Sequence, residues 1–196
     1  MKIAVFVSGG GTNLQALIDA QGRGELCGGE ITLVVSSRRD AYALERAKNN
    51  NIDSVVIRRR DYESDRAYDH AMREALVSRG IGLVVLAGYL SMMGPLVLGE
   101  YGSRILNVHP SLIPSFCGKG FYGLRVHEAA LEHGVKVTGA TVHLVNEIYD
   151  DGKILLQKAV DVLPGDTPET LQQRVMHEAE WVILPQAVAM FCRGDL

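Results

Sequence analysis

The sequence predicts an α/β fold of Rossmann-like type, a mostly parallel twisted sheet with helices on both faces and an antiparallel C-terminal portion. Three observations carry this. Short apolar β-rich runs alternate with helical patterns through the first half of the chain, as in sheets covered on both faces. A glycine-rich turn joins the first run to the first helical pattern. Late in the chain two longer β runs are separated by an acidic turn with no helix between them, which reads as an antiparallel ending.

The elements follow in order. Residues 2–7 give the first strand, and Ser8-Gly9-Gly10-Gly11-Thr12-Asn13 turns into a helix over 13–21. Strands at 31–36 and 54–57 are separated by a helix over 41–49. A third helix over 62–79 has Ala67, Tyr68, Ala71, Met72, Ala75 and Leu76 at the three-to-four spacing of an apolar stripe. Strands at 82–86 and 104–108 come next, then a loop rich in glycine and aromatic residues over 115–123. A helix at about 124–133 precedes β runs at 136–145 and 154–162. Thr167 and Pro168 are a natural N-cap and first position for a last helix running to about Cys192. No repeat, linker or low-complexity tract divides the chain, so 196 residues are expected to form one domain, 1–196.

Composition narrows the partners. A formal charge of −3 offers no electrostatic footprint for nucleic acid or an anionic membrane. No apolar run approaches the roughly 18–20 residues of a membrane span. Met1-Lys2-Ile3 leads straight into a core strand without a cleavage pattern. Cys27, Cys117 and Cys192 form neither a metal spacing nor an even disulfide set, which suits a reducing cytoplasm. The partners expected are small molecules, without nucleic acid, membrane or metal.

The most informative stretch is Asn107-Val108-His109-Pro110-Ser111-Leu112-Ile113-Pro114. On a strand, Asn107 and His109 face the same side, and the two prolines end regular structure behind them. An amide that polarises a carbonyl oxygen beside an imidazole that moves a proton suits acyl or formyl transfer. The glycine turn needs a different chemistry. Backbone N–H groups at the start of a helix attract an anion. Ser8, Thr12 and Asn13 can add side-chain donors. The spacing fits neither Gly-x-Gly-x-x-Gly nor a P-loop, so a single phosphate is the expectation.

These two segments, with Thr141-Val142-His143 leading to Asp150-Asp151-Gly152, resemble the glycinamide ribonucleotide transformylase family over about Lys2 to Met190. The resemblance implies transfer of the formyl group of 10-formyltetrahydrofolate, a cosubstrate, to the amine of glycinamide ribonucleotide, a step of purine synthesis. It implies Asn107 as oxyanion donor, His109 as proton-transfer group, and Asp150 raising the His109 pKa and positioning water. Gly11, Thr12 and Asn13 match the phosphate-holding residues, and Glu180 matches a residue that bonds the ribose. Leu90, Ser91, Met92 and Met93, with Asn107 and the loop Asn146, Glu147, Ile148, Tyr149 and Asp150, match the pterin pocket. Two positions depart from the pattern. Ser91 and Asp65 stand where several members carry folate-contacting arginines, and Arg66 is adjacent.

Competing readings accompany these assignments. Asp151 is a rival to Asp150. His143 reads as a buried supporting residue. His70, His127, His133 and His177 show no ligand spacing and read as surface or structural, with His127 and Asn13 as secondary candidates for touching substrate. Formyltetrahydrofolate deformylase shares the Asn–His–Asp set, but is expected to carry an extra N-terminal domain and His-His-Ser where this chain has His109-Pro110-Ser111. Methionyl-tRNA formyltransferase is expected to need a further C-terminal domain and a basic surface. A non-catalytic nucleotide-binding module would not gather Asn107, His109 and Asp150 at one point. A homodimer is the oligomer to consider.

Overall fold

The computed structural model describes all 196 residues. Seven strands form one sheet in the order β3-β2-β1-β4-β5-β6-β7. Lys2–Val7 (β1), Glu30–Ser36 (β2), Asp53–Val56 (β3), Leu83–Leu86 (β4) and Ile105–His109 (β5) are parallel. Val137–Leu144 (β6) runs antiparallel to β5, and Ile154–Asp161 (β7) antiparallel to β6. The chain moves outward from β1 to β3, then returns to place β4 on the other side of β1. Such a switch point opens a crevice at the carboxyl ends of the strands.

Period-two alternation divides the core between the faces. Ile3, Val5 and Val7 of β1 join a cluster of 28 buried residues beneath Thr12–Gly22 (α1), Ala43–Asn49 (α2), Leu124–Glu132 (α5), Pro168–Val175 (α6) and Trp181–Arg193 (α7). Ala4 and Phe6 join a cluster of 16 beneath Asp65–Val77 (α3) and Pro95–Tyr101 (α4). Each wholly buried Leu, Ile, Val or Phe contributes about 1.5–3 kcal/mol, so the sheet is pinned from both sides.

Three sequence expectations change. The third helix starts at Asp65, not 62, because Ser64 caps it by accepting from the Ala67 N–H at 3.1 Å, and Arg59–Asp61 form a separate short turn. The helix α4 falls between the strands expected at 82–86 and 104–108, where no element is assigned from sequence. Its first turn is held from outside: buried Asp69 of α3 accepts from the N–H groups of Leu96 (2.7 Å) and Val97 (3.3 Å). The last helix is not continuous. Between α6 and α7 the chain makes a π turn over Met176–Glu180, just ahead of Pro185, which has no N–H to return to Trp181.

Candidate active site

Strand register assembles the centre. Asn107 pairs with His143 across β5 and β6, and His109 with Thr141, so the Asn107 and His143 side chains share one face. The His143 ring offers Nδ1–H to Leu144 O at 2.7 Å, which leaves Nε2 with its lone pair to accept from Asn107 Nδ2 at 3.0 Å. His143 is thus a buried, hydrogen-bonded support that fixes the donor side of the Asn107 amide. The second amide hydrogen faces Asp150 Oδ1 at a long 3.4 Å.

Asp150 comes from the β6–β7 connection in a left-handed conformation, φ 54°, rare for a residue with a side chain. Two contacts over-determine it. Gly118 N–H donates to Oδ2 at 2.8 Å, and Gly152 lies so close to Leu144 O that no Cβ fits there. The rival, Asp151, is exposed and faces Asn146. Asp150 Oδ2 stands 3.5 Å from His109 Nδ1, and Oδ1 3.6 Å from His143 Nε2. His109 is buried and its Nε2–H donates to Phe116 O at 2.9 Å.

The electrostatics partly correct the expected pKa. Burial lowers the His109 pKa, Asp150 and the Phe116 carbonyl pull the other way, and the net direction is downward. Asp150 therefore favours the charged ring without lifting it above its ordinary value. The carboxyl of Asp150 is pushed up by burial, but His143, His109 and the Gly118 N–H outweigh that and hold it below the usual carboxylate range.

These groups open on a cleft of about 480 Å³ at the carboxyl ends of β1, β4 and β5. Its far wall holds Asn13, Met176 and Glu180. Buried Glu180, turned inward by the π turn, accepts from Asn13 Nδ2 at 2.6 Å, and burial raises its pKa. Gly11 starts α1 at φ 72°, and a Cβ there would press on Ala43 at 2.6 Å, so both conformation and space demand glycine. Gly11 and Thr12 stand at this helix start, outside the cleft lining, and the Thr12 hydroxyl faces Met176 Sδ at 3.7 Å. Ser8 is occupied structurally, bonded to Ser37 and accepting from Leu90 N–H.

A recess of about 80 Å³ on the other side of Asn107 and Asp150 gathers Ser91, Met92, Met93, Asn146, Ile148 and Tyr149. Leu90 lines the main cleft instead, and Glu147 lines neither. Past Ser91–Met93 the recess continues into a groove of about 620 Å³ that contains Asp65, Arg66 and Arg59. The Asn–His–carboxylate cluster is in the cleft and not in this groove, so the chemistry belongs to the cleft. Arg59, paired with Asp65, was not singled out from sequence. Neither were the Phe116 carbonyl and Gly118 N–H, whose signal was only a glycine-flanked loop. His127, expected at the surface or as structure, is wholly buried and lines the cleft.

An open α/β sheet that aims an amide, an imidazole and a carboxylate at one point beside a helix start defines a class, the formyl transferases. The chain belongs to that family: the formyl transferase family model matches residues 1–188. Its relatives include phosphoribosylglycinamide formyltransferases and the much longer trifunctional purine biosynthetic protein adenosine-3 of Drosophila pseudoobscura pseudoobscura, of which the chain spans 14% at 39% identity. It is 39% identical over 195 residues to phosphoribosylglycinamide formyltransferase of Haemophilus influenzae, covering 100% of this chain and 89% of that protein. It is 41% identical over 192 residues to the chloroplastic phosphoribosylglycinamide formyltransferase of Arabidopsis thaliana, covering 97% of this chain and 65% of that longer protein. The crystal structure of glycinamide ribonucleotide transformylase 1 from Symbiobacterium toebii superposes with a TM-score of 0.92 at 44% identity, over 99% of this chain and 88% of that one.

Proposed function

We propose that the chain transfers the formyl group of 10-formyltetrahydrofolate to the amine of glycinamide ribonucleotide, giving formylglycinamide ribonucleotide and tetrahydrofolate, a step of purine synthesis. The observation that carries this is the meeting of Asn107, His109 and Asp150 within 3.4–3.5 Å at the mouth of a cleft whose far wall holds Asn13 and Glu180. A nucleotide-binding module has no use for that meeting.

The substrate phosphate sits at Gly11, Thr12 and Asn13, where the start of α1 favours an anion, and Glu180 accepts from the ribose hydroxyls. The pterin lies in the recess of Ser91–Met93 and the 146–150 loop, with its formyl carbon at the Asn107–Asp150 junction. The amine attacks that carbon, and negative charge develops on the formyl oxygen. The loosely held second hydrogen of the Asn107 amide meets the oxyanion; a preorganised donor of this kind contributes about 2.7–4 kcal/mol. His109, in the protonated form that Asp150 favours against burial, adds to this stabilisation and delivers a proton to the leaving folate nitrogen. The attacking nitrogen loses its proton through water held by Asp150, so the proton count balances. The C–N bond to folate breaks as the new amide forms.

Residues 1–196 serve as one formyltransferase domain in this reading, with small-molecule partners, a cytoplasmic setting and a homodimer as the oligomer to test. No helix is long and apolar enough to cross a membrane. Absorbance of the folate product, followed with and without glycinamide ribonucleotide, tests the reaction. Turnover is expected only with the ribonucleotide. Equal turnover without it would replace the reading with hydrolysis.

A further inference from the structure

Few buried side-chain polar atoms lack a hydrogen-bond partner: Asn13 Oδ1, both ring nitrogens of His127, and single atoms of Thr32, Thr138 and Trp181. Only Asn13 and His127 line the catalytic cleft. His127 is the fourth residue of α5, 0% exposed, and lines the same cleft as His109 and Glu180. A histidine kept for packing bonds at least one ring nitrogen to protein, because an orphaned buried polar group costs stability that an apolar ring would not. Neither nitrogen here touches protein donors or acceptors, and the cleft is the open volume beside the ring.

We propose that His127 is a binding residue for the amine substrate, hydrogen-bonding as the neutral ring to a hydroxyl or amide group between the phosphate and the reacting amine. Burial, with a smaller contribution from His109, holds its pKa down to about 4. At neutral pH the ring therefore carries one N–H and one lone pair and no charge. That pair suits a sugar hydroxyl or a carboxamide, which both donate and accept, and suits a phosphate poorly. Asn13 Oδ1, left free while its amide nitrogen is held by Glu180, presents a second unfilled acceptor on the same cleft. The two orphans thus call for one polar, uncharged portion of a ligand.

The assignment rests on the functional reading above, and the test separates the two. Steady-state kinetics are measured for the wild type, His127→Phe and His127→Gln, with KM for glycinamide ribonucleotide and for 10-formyltetrahydrofolate determined separately. His127→Phe is expected to raise the ribonucleotide KM at least tenfold and leave the folate KM within twofold. Its melting temperature should equal or exceed the wild type's, since the orphaned nitrogens are gone. His127→Gln should recover part of the ribonucleotide affinity. Should His127→Phe fail to fold, ¹⁵N resonances of the His127 ring in the wild type decide: they move on saturation with ribonucleotide and stay still with folate alone. Unchanged KM values in a folded His127→Phe, or unmoved resonances, would overturn the assignment. A wild type that neither binds nor formylates the ribonucleotide would instead remove the functional reading, and this inference with it.

Discussion

One carboxylate anchors the centre at the scale of single residues. Asp150 faces His109 through Oδ2 and the Asn107 amide through Oδ1, so it orients the proton carrier and the oxyanion donor together. Its effect on His109 opposes burial, which makes the ring's charge depend on the pairing. The donor form of His109 exists below its pKa, so activity is lost as pH rises through that value. Asp150→Asn removes the upward pull, and the alkaline limb of the kcat profile should move to lower pH. A limb that stays in place would break the pairing. Much at this scale was legible in sequence. Asn107 and His109 share a strand face by period two alone, and Asp150 was preferred to Asp151 through family resemblance. The partners were not legible: Phe116 O and Gly118 N–H are backbone groups, which leave no residue-type signature. Nor was the net direction of the His109 pKa, because burial depends on what packs around the ring.

Elements hold these residues in place through a few positions with no slack. Gly152 is one, since any side chain there runs into the Leu144 carbonyl. Gly152→Ala should displace the turn that carries Asp150, lowering kcat at least tenfold while the far cleft wall, and so the ribonucleotide KM, changes little. Equal losses in both parameters would mean that the turn and the wall are mechanically one unit. The start of α6 is a second such position. Thr167 and Thr170 form a reciprocal capping box, and Thr167→Ala should cost about 1 kcal/mol in urea unfolding with kinetics unchanged. That cap was readable from Thr167-Pro168. The π turn after it was not, because Met176–Glu180 continues a helical pattern and the extra residue shows only in the backbone. Helix α4 escaped for a related reason: its first turn is stabilised by Asp69, which is distant in sequence.

Taken whole, the molecule carries polar groups in its interior for use in the cleft, and stability should register that. His127 has a folded pKa of about 4 against an ordinary 6.5. Between those values the unfolded chain binds more protons, so stability falls as pH drops from about 6.5 to about 4. At roughly 1.4 kcal/mol per pH unit, the His127 share approaches about 3 kcal/mol at the acid end. His109, also shifted downward, adds loss of the same sign. Urea midpoints across this range should decline less steeply in His127→Phe than in the wild type, and parallel curves would contradict the assigned shift. The sheet topology behind this arrangement was legible because alternation of apolar strands and helices sets it. The strand order supplies the crevice, and β5 and β6 bring distant residues to its edge.

The fate of the formyl group tests the central claim most directly. Formyl-labelled 10-formyltetrahydrofolate is mixed with excess enzyme and glycinamide ribonucleotide, and the label is followed through one turnover in the wild type and in His109→Ala. Transfer of the label to the ribonucleotide amine is predicted for the wild type, with a rate lower by about 10²–10⁴ in His109→Ala. Label recovered as free formate, or transfer that is indifferent to the loss of His109, would contradict it.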